Sequence, residues 1–360
     1  MNVYYSKKLW GRDRYAKKLT PVPLQKTILW EKQELFIPAV YVGKAGAVLD
    51  VCEKISVDDM AAFLKKWNQE RRLSLKTQEE LEQFDAENPG SKDFMTEMSL
   101  NDSPLTCRIS GSLMWYPPAI SRMTANETDA PDEDRSPAIQ TSRSADSKDA
   151  EPASDDDWPN DKIAEELMNA YGCDRTCCWH FGRVSYEWKS EPVLAPQKIS
   201  LYFQTRPVPV TAGHFMTDLS NRTENIEIVH PISGQKYDLT ILECEQMQHH
   251  LSFTQFGRKD IVYPEHSLIL AYRISPEIPD SLFTIRDCSD GDHPRKADTS
   301  EIDQKNQCLS SSVFVIGNHR GPDHTAASSL YFEPVSTVQW RAVFHIKKKA
   351  DLQISFSVPD

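Results

Sequence analysis

No stretch of this chain approaches the roughly 20 consecutive apolar residues that a bilayer span needs, and hydrophobic residues make up only 39% of its 360. A heptad repeat, a Gly-X-Y repeat and a dense cysteine framework are equally missing, which excludes a coiled coil, a collagen-like fibre and a disulfide miniprotein. The first 20 residues lack the uninterrupted apolar core of a secretory signal, because Lys7, Lys8, Arg12, Arg14, Lys17 and Lys18 break every apolar run. A cytoplasmic protein is therefore expected, with no membrane partner. In that compartment the eight cysteines, scattered through the chain, stay as thiols and behave as small hydrophobes. The sequons at Asn126 and Asn221 are then chance matches.

Common catalytic signatures are also lacking. The chain holds no GxxxxGK[ST] phosphate loop, no GxGxxG, no HExxH and no GxSxG elbow. Gly43–Lys44–Ala45–Gly46 only resembles a glycine-rich loop and reads as a turn. These absences lower the odds of the common hydrolases and nucleotide enzymes without excluding an unusual one.

What the chain does have is charge in one place and strand periodicity in many. Between Met123 and Trp158, eleven acidic residues stand against Arg135, Arg143 and Lys148, giving −8 of the chain's −12. Rich in Ser, Ala, Asp and Pro, this segment cannot bury enough apolar surface to offset the entropy of ordering it. It reads as an acidic disordered linker or insertion over 123–158.

Leu105, Cys107, Ile109, Leu113 and Trp115 alternate with Thr106, Arg108, Ser110, Met114 and Tyr116, the period of a half-buried strand. Further strands are expected at 35–52 around the 44–46 turn, at 179–188, and repeatedly to the C-terminus. Among these, 226–229 and 237–241 are joined across a turn at Ser233–Gly234, and 338–346 and 352–358 across Lys347–Lys349. Capping boxes at Ser56/Asp59 and Thr77/Glu80 open helices expected over 57–69 and 77–87, and Gly172 closes a third from Asp161. The fold class is mainly β (α+β): an antiparallel β-sandwich or barrel-like body with a smaller mixed α/β N-terminal part. The expected division is 1–122, the 123–158 segment, and a β-rich domain over 159–360. The acidic segment, lying between two strands, equally suits an insertion within one domain.

Candidate sites are sparse. His319, Asp323 and His324 lie in one turn-like sequence after a strand, a carboxylate and two imidazoles that form a chemically sensible half-site for zinc, manganese or iron. Asp290, Asp292 and His293 could complete it; the simpler reading is a solvated loop whose side chains cap turns. Cys173, Cys177, Cys178 and His180 have the wrong spacing for a zinc knuckle and read as packed thiols beside a helix end. His249 and His250 are adjacent, so on a strand they face opposite ways. The basic, aromatic N-terminal stretch resembles a nucleic-acid arm, but with an acidic remainder it reads as a leader packing its aromatics on the body. Trp115, Trp179, Trp188 and Trp340 fit inward strand positions.

The leading expectation is a cytosolic binding or assembly module without catalysis or cofactor. Its partner is another protein rather than nucleic acid, and an apolar patch or sheet edge stands ready to be covered. The alternative is a metal-dependent enzyme, a hydrolase or cupin-like, using a divalent metal on His319, Asp323 and His324. Carbohydrate or small-ligand binding on exposed aromatics ranks last.

Overall fold

The computed structural model describes residues 1–10, 15–68, 71–72, 74–75, 77–124, 160–220, 224–249, 261–296 and 324–358. The acidic segment, from residue 125 on, therefore lies outside the described residues. The described chain is mainly antiparallel β and groups into two compact units. Residues 1–74, 87–206 and 347–360 form the first, and residues 75–86 and 207–346 the second.

The first unit is built on eight strands: β3 (Thr20–Trp30), β4 (Gln33–Gly43), β5 (Gly46–Ile55), β6 (Phe94–Leu100), β7 (Ser103–Trp115), β8 (Cys178–Trp188), β9 (Lys198–Thr205) and β19 (Leu352–Ser357). They pair in the order β19-β9-β6-β7-β8-β5-β4-β3. The two end strands nevertheless share one core. Val22, Leu24 and Trp30 of β3 pack in the same cluster as Leu352, Ile354 and Phe356 of β19. Trp30 meets Phe94 at 5.4 Å and Phe203 at 5.8 Å, and its indole N–H donates to Ala350 O at 2.9 Å. The sheet thus curls into a nearly closed barrel whose two end strands meet over a shared core. β6 and β7 pair only next to their turn, at Ser99↔Pro104 and Leu100↔Ser103.

β8 is buried at every residue from Cys178 to Tyr186 because both its faces are covered. Inside lies the barrel core. Outside, α4 (Asn160–Tyr171) sets Ala164, Leu167 and Met168 on Cys52, Leu113, Trp115, Trp179 and Phe181. The N-terminal residues pack as well: Val3 and Tyr5 join Leu19, Ala39, Tyr41 and Val48. Gly46 is required there, since a Cβ would collide with the Tyr5 ring and Tyr186 O. A short pair, β1 (Tyr4–Tyr5) with β2 (Lys17–Lys18), holds the segment down.

α1 (Val57–Lys66) begins where expected: Ser56 Oγ accepts from Asp58 N at 3.2 Å and Asp59 N at 3.4 Å. Helix α2 (Gln78–Glu87) opens with the Thr77/Glu80 box, Glu80 N to Thr77 Oγ1 at 3.2 Å and Thr77 N to Glu80 Oε2 at 3.1 Å. A short helix, α3 (Pro118–Thr124), follows β7.

The second unit is a sandwich. One sheet is β10 (Val208–Asp218), β18 (Thr337–Ile346) and β15 (Phe283–Asp287), in the order β10-β18-β15. The other is β11 (Glu224–Val229), β12 (Lys236–Gln248), β14 (His266–Ser275) and β17 (His324–Ala327). A two-stranded ribbon, β13 (Ile261–Val262) with β16 (Arg295–Lys296), accompanies them. Trp340, Phe344, Phe215 and Phe283 from the first sheet interleave with Leu239, Ile241, Leu270 and Tyr272 from the second. Trp340 Nε1 donates to Thr217 Oγ1 at 2.7 Å, so the largest core side chain leaves no polar atom unmatched.

This partition differs from a division into 1–122 and 159–360. β8 and β9 pair with β7, β5 and β6, which places residues 178–205 in the N-terminal sheet. The reason is register: β7 and β8 run together from Leu105↔Trp188 to Trp115↔Trp179.

Candidate functional site

His319, Asp323 and His250 lie outside the described residues. His324 opens β17, where its Nδ1 stands 2.6 Å from Asp280 Oδ1 and its ring stacks on Tyr272 at 5.3 Å. His293 is exposed. Its neighbour Asp292 accepts Phe332 N at 2.7 Å, and the preceding Asp287 accepts Ser289 N, Ser329 N and Tyr331 Oη at 2.8, 2.9 and 2.9 Å. These carboxylates fix turns. His249 Nε2 lies 2.8 Å from Ser267 Oγ, and burial, with His266 nearby, pushes its imidazole below the usual range. Among the described residues, no three His, Cys, Asp or Glu side chains are grouped to hold a metal ion.

The cysteine cluster separates. Cys178 is buried on β8, while Cys177 Sγ points to Asp174 Oδ2 at 3.7 Å. Cys173 instead meets Cys52. Burial and that contact push the Cys52 thiol up, and the hydrogen bond Cys52 supplies draws Cys173 down.

Two further places stand out. The first is inside the barrel, where Glu53 of β5 and His180 of β8 face each other in register, both 2% exposed. Gln33 Nε2 donates to Glu53 Oε2 at 2.6 Å. His180 Nδ1 is 3.5 Å from Glu53 Oε1 and has no hydrogen-bond partner among the described residues. Lys92, next to Gly182, is held below the usual lysine range by burial, with Glu53 opposing. Glu53 shares β5 with Asp50 and Lys54, and His180 shares β8 with Arg183, so no sequence signal pairs the two; only the β5–β8 register does.

The second is the β11–β12 hairpin. β11 is an edge of its sheet and ends on Val229, 41% exposed; three residues later Ile232 is 71% exposed. The turn beneath Ile232 is tightly ordered. His230 Nδ1 accepts Ile232 N at 3.2 Å and Ser233 N at 3.1 Å, and His230 O accepts Gly234 N at 3.0 Å. The His230 ring rests edge-on against Phe344 at 4.6 Å, which ties the turn to the sandwich core. Gly234 takes φ of +69°, a conformation that costs other residues energy. An isoleucine between Pro231 and Ser233–Gly234, in a turn otherwise polar, was the available clue.

No family model, no curated protein and no solved structure matches this chain.

Proposed function

We propose that this chain is a binding and assembly module, without catalysis of its own, that engages another protein through the β11–β12 hairpin. The observation that carries this reading is Ile232: a large apolar side chain held in solvent by a turn with five hydrogen bonds and a core-anchored histidine. Exposed apolar groups on rigid elements make strong contacts because little conformational entropy remains to be lost on binding. The β11 edge beside it supplies unpaired backbone groups to an incoming strand. Free thiols fit a reducing compartment, so we place the protein in the cytoplasm.

The test compares partners captured by the full chain with those captured by Ile232→Asp, after checking that both melt at the same temperature. The reading requires proteins recovered stoichiometrically with the natural chain and lost at least about tenfold with the variant, a loss of about 1.4 kcal/mol. Identical recoveries overturn it.

A further inference from the structure

The outer face of the β10-β18-β15 sheet carries a basic row. His214, Arg341 and Arg286 sit directly opposite one another on three adjacent strands. The two arginine charges, Arg341 and Arg286, repel in that arrangement, and strands about 4.8 Å apart keep them close. Helix α2 supplies the compensation from far away in sequence. Glu79 Oε2 is 2.9 Å from His214 Nε2, and Glu82 bridges Arg286 Nη1 at 2.6 Å and Arg341 Nη1 at 2.7 Å. Carboxylates three residues apart on a helix are about 5–6 Å apart, close to the spacing of neighbouring strands, which is why one helical face can serve the whole row.

The match is incomplete. Arg341 is 1% exposed, yet its Nε and Nη2 have no hydrogen-bond partner among the described residues. Those two nitrogens form one side of the guanidinium fork, the edge that accepts a two-oxygen group side-on. One carboxylate, Glu82, is shared between two arginines, and α2 buries none of its residues. The helix is an acidic ligand tied to its own receptor, and among the described residues one donor pair of that receptor has no partner.

We propose that α2 is a displaceable strap, and that the His214–Arg341–Arg286 row is a docking surface for an acidic helical peptide of a partner protein. A competitor carrying one more carboxylate at the same spacing satisfies the open edge of Arg341 that α2 leaves unmatched. This surface lies on a different sheet from the β11–β12 hairpin and stands independently of it.

The experiment is hydrogen exchange on the full chain, with and without a synthetic peptide of residues 77–87. A short tether holds α2 at an effective concentration of order millimolar, so the peptide is added at several millimolar. Exchange of the 78–87 amides should accelerate at least about twofold while those of β18 stay protected. No acceleration overturns the proposal, and acceleration by a single-stranded oligonucleotide but not by the peptide overturns the assignment to an acidic peptide. As a second reading, the Glu79→Gln/Glu82→Gln chain should bind labelled peptide about tenfold more tightly than the natural chain and lose it on adding Arg286→Gln. Equal binding by the natural and double-variant chains also overturns it, and if the double variant fails to fold, the exchange result decides.

Discussion

Arg183 is 3% exposed and carries its charge between β8 and α4, so its neighbours decide whether the first unit can fold. Asp50 answers it with two bonds of 2.7 Å, from Nε and from Nη2. Leu9 O takes Nη1 at 3.2 Å, and Trp10 lies 4.2 Å over the guanidinium. Tyr171 of α4 donates to Asp50 Oδ2 and sits 3.0 Å from the Tyr41 hydroxyl. Burial and then the Asp50 charge raise the Tyr171 phenol, and burial first raises that of Tyr41 to about 12, so both stay protonated. Breaking such a pair leaves an uncompensated buried charge. Asp50→Ala should cost about 3–5 kcal/mol in urea unfolding, and Tyr171→Phe about 1–3 kcal/mol. Equal and small losses from both would mean that Arg183 is solvated rather than paired. None of this was legible in the sequence. Asp50 and Arg183 are each an ordinary charge in a strand, and only the β5–β8 register, which sets Asp50 opposite Arg183, makes them a pair. The Glu82–Arg341 bridge was hidden for the same reason, since its partners lie on a helix and a strand far apart in the chain.

Elements whose signals are local were readable. α1 has its cap at Ser56 and an apolar stripe of Met60, Phe63 and Leu64, and the structure ends it at Lys66 with Trp67 fully buried behind it. The expected extension to residue 69 overshoots because Trp67 leaves helical geometry to pack. β7 kept its alternation at both ends but not in the middle. A bulge between Cys107 and Ile109 turns Ile109 outward, 37% exposed. β3 escaped because Pro21 and Pro23 punctuate it, as an edge strand allows. β6 escaped because one of its four inward positions is Thr96, whose hydroxyl breaks the apolar pattern. Of the candidate sites, the turn at Ser233–Gly234 was visible and His180 was noted only beside the cysteines; the turn's importance came from what it presents rather than from its composition. Here the element itself can be tested. A Cβ on Gly234 would touch nothing within 4 Å, so Gly234→Ala changes only the backbone energy at φ of +69°. We expect a loss of about 1–2 kcal/mol, read as a lower melting temperature for the second unit. A neutral result would show that the turn relaxes without cost, and that Ile232 is not rigidly presented.

At the scale of the whole chain, the order of strands matters more than any one of them. Residues before the acidic segment supply β3, β4, β5, β6 and β7, and those after it supply β8, β9 and β19. In the sheet these two sets interleave: β9 pairs with β6, and β8 sits between β7 and β5. The segment around 123–158 is thus joined at both ends to one sheet, and neither half of the chain holds a complete set of neighbours. Long-range pairing of this kind must be formed before it yields stability, which slows folding and makes the halves interdependent. Arg135, Arg143 and Lys148 offer trypsin its sites within the acidic run, whose composition lacks the apolar residues that protect backbone from proteases. Brief digestion should therefore cut there first. The two fragments should then co-elute on size exclusion in native buffer and part only in denaturant, because separation requires three strand ladders to break together. Fragments that separate in native buffer would mean the interleaved sheet does not exist. First cuts within 199–286 would place the least protected backbone in the second unit and not in the acidic run. The same interleaving predicts that residues 1–122 expressed alone do not fold, since β5 and β7 would each face water along the side that β8 covers in the intact chain.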